Sequence, residues 1–234
     1  MDKALGSGLT LRQAALTVGF GYLLNPVPYA EFGIWPKLVV SGNAAQTVAN
    51  ISAHQGLFLV AILCYLINFI EDIVIAWALY FLLAPVNKTI SMLAALFRLM
   101  YTAIAFSGMF NLVTVARMVQ TPAYLTNFGR DQFDAQIDLL LHIFRYDYAY
   151  SICAVFSIHL LLVGYLIIRS RYIPWWLGAI VIIDGLAWIV KNLQPFLYPN
   201  ADLGYISIAF WGELVLMLWL LIFGWKMKEP VAAT

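Results

Sequence analysis

The chain has 234 residues, of which 63% are hydrophobic and only 11% are charged, whereas a typical globular chain is about 45–50% apolar and about 25% charged. A water-soluble domain of this composition would lack the polar side chains needed to cover its surface, so the sequence indicates an integral membrane protein. Thirteen basic residues nearly balance twelve acidic ones. With no basic tract to hold a phosphate backbone, nucleic-acid binding is excluded.

Long apolar segments follow one another along the whole chain. A helix needs about 20 mostly apolar residues to cross the hydrocarbon layer. Six segments meet this length and predict a single all-α domain over residues 1–234, a bundle of six transmembrane helices. The predicted spans cover approximately residues 11–32, 55–84, 89–118, 136–168, 174–193 and 204–225.

Two connecting segments and one interruption complete the predicted organisation. The motif Asn25-Pro26-Val27-Pro28 breaks the outer half of the first span, because proline cannot donate a helical hydrogen bond. Residues 41–54 predict a short helix at the membrane interface, and the polar residues 120–135 predict a second interfacial stretch.

The distribution of Lys and Arg predicts the orientation. Seven basic residues fall on one side of the six predicted spans, and fewer fall on the other. By the positive-inside rule, both termini are expected in the cytoplasm. The seven are Lys3, Arg12, Lys88, Arg169, Arg171, Lys226 and Lys228.

Ionisable residues inside predicted spans form a layer at one depth. Such residues are costly in hydrocarbon and mark functional sites by default. At about 1.5 Å per residue, those of spans two to six lie roughly 13–18 Å from the predicted cytoplasmic helix ends. This candidate ion or substrate cluster consists of Glu71, Asp72, Arg98, His159, Asp184 and Glu213.

Arg98 is expected to pair with Asp72 or Glu71, because spans two and three form a hairpin across a short turn. Leftover carboxyl groups then either stay protonated or bind a proton, a metal ion or a cationic substrate from a water-filled cavity. Three further residues on overlapping helix faces add hydrogen-bonding groups: Asn68, Tyr101 and Thr102.

A purely structural role for these residues is the alternative. Polar side chains hold helices together in membranes with about 0.6 kcal/mol per hydrogen bond. That role suffices for Arg98 and one acidic partner, but it does not require four acids against one permanent cation. The excess of acid favours a functional site.

A second polar group lies near the predicted outer helix ends. It either lines an approach to the inner layer, as an outer vestibule, or extends its charged ends to the membrane interface. Its candidate residues are His142, Arg145, Asp147 and Lys191.

Familiar cofactor and catalytic motifs are missing from the sequence. The inner layer offers a single histidine and no H-E-x-x-H motif, so no metal ligand set is predicted. Facing haem ligands and a G-x-S-x-G nucleophile motif are also not found. The cofactor, if there is one, is left open.

The order and spacing of several segments resemble a bacterial and archaeal integral-membrane family, catalogued as domain of unknown function 4386. The resemblance covers nearly the whole chain, from about residue 11 to residue 228. The acid of span two, the arginine after the hairpin and the Gly-Glu-Leu of the last span look like family features. The segments that carry it are residues 34–53, 71–72, 83–88, 94–98, 164–166 and 211–214. The resemblance implies no particular activity.

Three hypotheses for function follow. The first is a small proton- or cation-coupled transporter or permeation protein, in which Arg98 holds one acid ionised, Asp184 and Glu213 exchange protons and His159 relays them. The second is an intramembrane enzyme that acts on a lipid or another apolar substrate. The third is a non-catalytic membrane subunit or receptor. The expected partners are membrane lipids and a small molecule or ion, and assembly into a homo-oligomer is left open.

Overall fold

A computed structural model describes residues 8–121, 123 and 129–228 of the chain. The described residues form helices joined by turns and contain no β-strand. Lys3, which was counted for the orientation, lies outside them, as do residue 122 and residues 124–128 of the predicted interfacial stretch. The chain is an all-α, multi-pass membrane protein.

Five described helices are long and apolar enough to cross a membrane. Five of the predicted spans match them closely. The largest difference is at the start of the helix Arg130–Arg169, which was predicted to begin near residue 136. In chain order, after the shorter helices α1 (Leu11–Leu24) and α2 (Ala44–Ala53), they are α3 (Gln55–Leu83), α4 (Lys88–Gln120), α5 (Arg130–Arg169), α6 (Trp175–Leu197) and α7 (Gly204–Lys226).

The predicted count of six spans is too high by one, because the first segment, whose outer half the Asn25-Pro26-Val27-Pro28 motif was expected to break, does not form one crossing helix. Helix α1 (Leu11–Leu24) has 14 residues, about 21 Å at 1.5 Å per residue, which is shorter than the roughly 30 Å hydrocarbon layer. It ends just before Asn25-Pro26, where proline disfavours helical geometry for the residue before it. Residues 27–38 then form short helical turns, with a π-helical segment at Ala30–Ile34.

The predicted short helix after these turns is present as α2 (Ala44–Ala53). It begins where the Asn43 side chain accepts a hydrogen bond from the backbone N–H of Gln46 at 2.9 Å. This is the usual way to satisfy a free amide in the first helical turn.

The described residues divide into two compact units, and α3, α4 and α5 contribute to both. The first unit comprises residues 8–24, 71–102 and 150–228, and the second comprises residues 25–70 and 103–149 apart from the gaps named above.

In the first unit, the end of α5 crosses α6 at a pair of glycines. A Cβ atom on Gly164 would lie 2.6 Å from the carbonyl oxygen of Gly178, and one on Gly178 would lie 2.4 Å from the carbonyl oxygen of Gly164. Only glycine allows the two backbones to come this close, as is common where membrane helices pack. This crossing fixes the position of the polar residues on α5 and α6.

The second unit has an aromatic core. Tyr65 of α3 packs edge-on against Phe144 of α5, with ring centroids 4.9 Å apart. Its hydroxyl accepts a hydrogen bond from Trp35 Nε1 at 2.7 Å. Edge-to-face pairs of this kind add stability beyond the apolar area that they bury.

Candidate functional site

Arg98 of α4 is the centre of a polar cluster inside the first unit. Its side chain is 3% exposed, and its Nε and Nη2 atoms donate to one oxygen of Asp72, at 3.0 and 2.5 Å. Asp72 on α3 and Arg98 lie at nearly equal distances from the hairpin turn, so the antiparallel helices bring them to the same level. The prediction that Arg98 pairs with Asp72 or Glu71 is thereby resolved in favour of Asp72.

Helices α7 and α1 supply two further contacts to the guanidinium. Arg98 Nη1 donates to Glu213 Oε1 at 3.1 Å and to the hydroxyl oxygen of Tyr22 at 2.8 Å. The Tyr22 hydroxyl in turn donates to Glu213 Oε1. The Asp72 and Glu213 carboxylates therefore share one arginine. The Tyr22 hydroxyl accepts from Arg98 and donates to Glu213, so it links these two residues.

Aromatic rings cover the guanidinium. Its Cζ atom lies 5.1 Å from the ring centroid of Tyr22 and 5.2 Å from that of Phe156. Contacts between a cation and a ring face are favourable, and more so away from water. The rings and the two carboxylates together explain how a permanent charge is held inside the unit.

His159 of α5 is a fully buried member of the cluster. Its Nδ1 atom lies 2.8 Å from the carbonyl oxygen of Ala94, and its Nε2 atom lies 3.2 Å from Arg98 Nη1. A carbonyl only accepts and a guanidinium only donates, so Nδ1 carries the hydrogen and Nε2 presents its lone pair. The imidazole is therefore neutral in this arrangement.

A π-helical turn, Ile152–Phe156, precedes His159 on α5. The Ser157 hydroxyl donates to the carbonyl oxygen of Ile152 at 2.9 Å across this turn. The π-helical turn changes the helical register. The residues after it, including His159, therefore lie on a different face of the helix from the one that regular α-helical geometry would give.

Asp184 of α6 is 1% exposed and contacts the helix turn that carries Glu213. Its Oδ2 atom accepts from the backbone N–H of Glu213 at 3.2 Å. A Cβ atom on Gly212 would lie 2.7 Å from the Cβ of Asp184, so only glycine at that position leaves room for the carboxyl group. Among the described residues, Asp184 Oδ1 has no hydrogen-bond partner.

Glu71, the neighbour of Asp72 on α3, does not reach the guanidinium. One residue turns the helix by about 100°, and Glu71 instead lies beside α1, where a Cβ atom on Gly21 would be 3.9 Å from its Cγ. Its Oε2 atom is buried and has no hydrogen-bond partner within the described part of the chain. Of the four acids in the predicted cluster, Glu71 and Asp184 are thus the two that do not contact Arg98.

The three residues predicted to support the cluster have separate surroundings. Tyr101 packs on Phe156, with ring centroids 4.7 Å apart. The Thr102 hydroxyl donates to the backbone carbonyl of Arg98 at 2.9 Å. Asn68 is buried and belongs to the second unit.

The residues predicted to form an outer vestibule are divided between the units. In the second unit, His142 is exposed beside Asp138. Asp147 lies against Gly108, where a Cβ atom would be 3.0 Å from the Cβ of the aspartate. In the first unit, Lys191 donates to Gln194 Oε1 at 3.0 Å. A shared vestibule stays a prediction.

Arg145, the fourth of these residues, belongs to a small network in the second unit. It donates from Nη1 to both oxygens of Glu31, at 2.7 and 2.8 Å, and its Cζ atom lies 4.8 Å from the ring centroid of Trp35. The Tyr65 hydroxyl donates to the same carboxylate. Glu31 is presented by the π-helical segment after Pro28, and such segments are common at functional sites.

Sequence reasoning missed Tyr22, which bridges Arg98 and Glu213. A tyrosine in an apolar helix is usually read as an interfacial residue. The available signal was its position inside α1 directly after Gly21 and three residues after Gly19, because such small residues let neighbouring helices approach.

Metal binding has no matching set of ligands in this structure. Within residues 8–121, 123 and 129–228, no group of three or more His, Cys, Asp or Glu side chains is placed to hold a metal ion.

The fold and the buried charged cluster define a multi-pass α-helical membrane protein with a polar centre. A family model described as a domain of unknown function (DUF4386) matches residues 17–224. The chain belongs to this family. Three residues in the segments that carried the resemblance meet in the structure, where Arg98 donates to both Asp72 and Glu213.

A relative from the archaeon Archaeoglobus fulgidus is 33% identical over 190 residues, which cover 81% of this chain and 93% of the relative. It is described as an uncharacterized protein. No solved structure matches the chain significantly.

Proposed function

We propose that this membrane protein is a small proton-coupled transporter or permeation protein, and that the cluster around Arg98 binds and releases the proton. One observation carries the proposal. Four carboxyl groups lie in the same unit as a single buried arginine, and two of them, Glu71 and Asp184, have a buried oxygen without a hydrogen-bond partner among the described residues.

The charge count supports protons on these two groups. The positive charge of Arg98 compensates the Asp72 carboxylate, and its Nη1 atom also donates to Glu213. His159 is neutral and adds no charge. An uncompensated carboxylate is too costly in a low-dielectric interior, so a buried acid that does not pair with the arginine takes up a proton instead. Glu71 and Asp184 are then protonated when Asp72 and Glu213 are ionised.

Glu213 provides the connection to solvent or to a substrate. Its side chain is 23% exposed, in contrast to Asp72 and Arg98, and its backbone N–H contacts Asp184. A proton or cationic group that reaches Glu213 weakens its pairing with Arg98. His159 accepts a proton on Nε2 only after the guanidinium has moved away, so its relay role requires motion of Arg98.

We further propose that both termini lie in the cytoplasm of a prokaryotic cell, as the distribution of Lys and Arg favours. With five crossing helices among the described residues, this orientation requires one further crossing. Reporter fusions to the two termini test it: reporters active on opposite sides of the membrane would contradict it.

Transport is tested with purified protein in liposomes that contain a trapped pH-sensitive dye. Inorganic cations and small amines and acids are added outside, one at a time, and the internal pH is followed. Wild-type protein is expected to move protons with at least one of these solutes, and Asp184→Asn is expected to abolish that movement while the variant still folds. Asp138→Asn is the matched control, because Asp138 is a carboxyl group of α5 outside the cluster and its side chain is 37% exposed.

Two results would contradict the proposal. In the first, a solute crosses the membrane through the wild-type protein without any change in internal pH. In the second, Asp184→Asn moves protons as fast as wild type. If Asp184→Asn instead unfolds in detergent, Glu213→Gln is used, because its partly exposed side chain makes a folding defect less severe.

A further inference from the structure

A cationic pocket of about 630 Å³ lies in the first unit, at the turn between α5 and α6. Arg169, Arg171 and Lys228 line it together with Tyr172. Because α5 ends at Arg169 and α6 begins at Trp175, a turn between two crossing helices places this pocket at the membrane surface, at the level of the lipid headgroups.

Among the residues that the structure describes, the three cations of this pocket have no acidic partner. Their side chains are exposed, and none of them takes part in an ion pair with a described residue. Like charges that share a pocket repel one another, so the arrangement favours an anion between them. Arginine forks match the oxygens of a phosphate group particularly well.

The backbone at Arg171 holds one of these cations in an unusual conformation. Its φ angle is 58°, in the left-handed region that residues with a Cβ rarely adopt. Neighbouring bonds maintain the turn: the Tyr172 hydroxyl donates to the backbone carbonyl of Leu82, and the Ser170 hydroxyl accepts from the Ile173 N–H at 3.2 Å. Strained residues of this kind persist where surrounding contacts fix them, often at binding sites.

An apolar pocket of about 470 Å³ adjoins the cationic one and shares Arg171 and Tyr172 with it. Its other walls include Trp175 and Trp219. Tryptophan is enriched where membrane proteins meet the boundary between headgroups and acyl chains. A free phosphate would fill only the cationic pocket, whereas a phospholipid would fill both.

We propose that this double pocket binds one anionic phospholipid, with its phosphate between Arg169, Arg171 and Lys228 and the start of its acyl chains against Trp175 and Trp219. Basic pockets between membrane helices commonly recognise anionic headgroups. The site is separate from the cluster around Arg98, so the inference is independent of the proposed transport activity.

The experiment measures quenching of tryptophan fluorescence in detergent micelles that contain increasing fractions of brominated phosphatidylglycerol. Brominated phosphatidylcholine is the zwitterionic reference. The test variant is Arg169→Gln/Arg171→Gly/Lys228→Gln, in which glycine suits the positive φ angle at position 171. The control variant, Arg12→Gln/Lys37→Gln, removes two exposed cations from outside the pocket.

Phosphatidylglycerol is expected to quench wild type and the control variant at lower fractions than phosphatidylcholine does. Each cation removed from the pocket weakens binding about fivefold, so the triple variant loses on the order of 100-fold. Replacing Trp175 and Trp219 by Phe should remove the saturable part of the quenching. If the triple variant does not fold, Arg171→Gly and Lys228→Gln are measured singly, with a loss of about fivefold each.

Three results would overturn the proposal. Equal binding of phosphatidylglycerol by the control and pocket variants would show that the pocket is not the site. Equal binding of the two lipids by wild type would show that charge is not recognised. Displacement of the lipid by inorganic phosphate, but not by chloride at the same ionic strength, would identify a free phosphate as the ligand instead.

Discussion

The ion pair between Arg98 and Asp72 makes a quantitative prediction for stability. Both side chains are almost completely buried, at 3% and 6% exposure. Arg98→Gln removes the charge that compensates Asp72 and also removes a donor to Glu213. Breaking a buried ion pair by removing one partner costs about 3–5 kcal/mol, mostly because a buried charge is left without compensation.

A double-mutant cycle separates this pairing from general damage to packing. Asp72→Asn alone leaves Arg98 paired with Glu213 and is expected to cost about 1–3 kcal/mol. In the double variant, Asp72→Asn/Arg98→Gln, no carboxylate at position 72 is left uncompensated, so its destabilisation should fall short of the sum of the single effects by about 1–3 kcal/mol. The measurement is equilibrium unfolding in mixed micelles with increasing denaturing detergent.

A more exposed pair is the control. Asp138 lies 3.3 Å from His142, and the side chains are 37% and 54% exposed, so Asp138→Asn should cost no more than about 1 kcal/mol. Two results would refute the reasoning: Arg98→Gln no more destabilising than Asp138→Asn, or additive single effects in the cycle.

Three further predictions concern other parts of the two units. Tyr22→Phe removes the hydroxyl that links two members of the cluster, and a loss of about 1–2 kcal/mol in the same unfolding assay is expected; no loss would mean that the hydroxyl is dispensable. Gly178→Leu forces α5 and α6 apart at Gly164, so it should reduce the yield of folded protein in size-exclusion chromatography, whereas an unchanged elution profile would contradict the close crossing. Arg145→Gln leaves the Glu31 carboxylate without its cation and should lower the unfolding midpoint. Adding Glu31→Gln should restore part of that loss. A double variant whose destabilisation equals the sum of the two single effects would argue against the pair.

The sequence was sufficient to predict the bundle, most helix ends and the meeting of Arg98 with an acid of α3. These features follow from apolar length and from a short hairpin turn, which are local properties. The count of spans was too high because the first segment was included for its apolar length, although a break at Asn25-Pro26 was predicted. A crossing helix also needs an unbroken series of backbone hydrogen bonds, and the proline sets its end.

Contacts that depend on side-chain direction could not be predicted from depth alone. Glu71 and Asp72 lie at nearly the same depth. One residue turns the helix by about 100°, so only Asp72 faces Arg98 and pairs with it. The direction of His159 follows a π-helical turn that regular spacing does not indicate. Asp184 reaches the turn of Glu213 because Gly212 lacks a side chain, which is a relation between two helices distant in sequence.

The proposed proton binding depends most on protonated carboxyl groups at Glu71 and Asp184 beside the ionised pair of Arg98 and Asp72. Infrared difference spectroscopy during a pH titration detects the C=O stretch of a protonated carboxyl group directly. Wild type at neutral pH is expected to show this band, and Asp184→Asn and Glu71→Gln should each remove part of it, while Asp138→Asn should leave it unchanged. A wild-type spectrum at neutral pH without the band, or variants of Asp184 and Glu71 that retain all of it, would contradict the account.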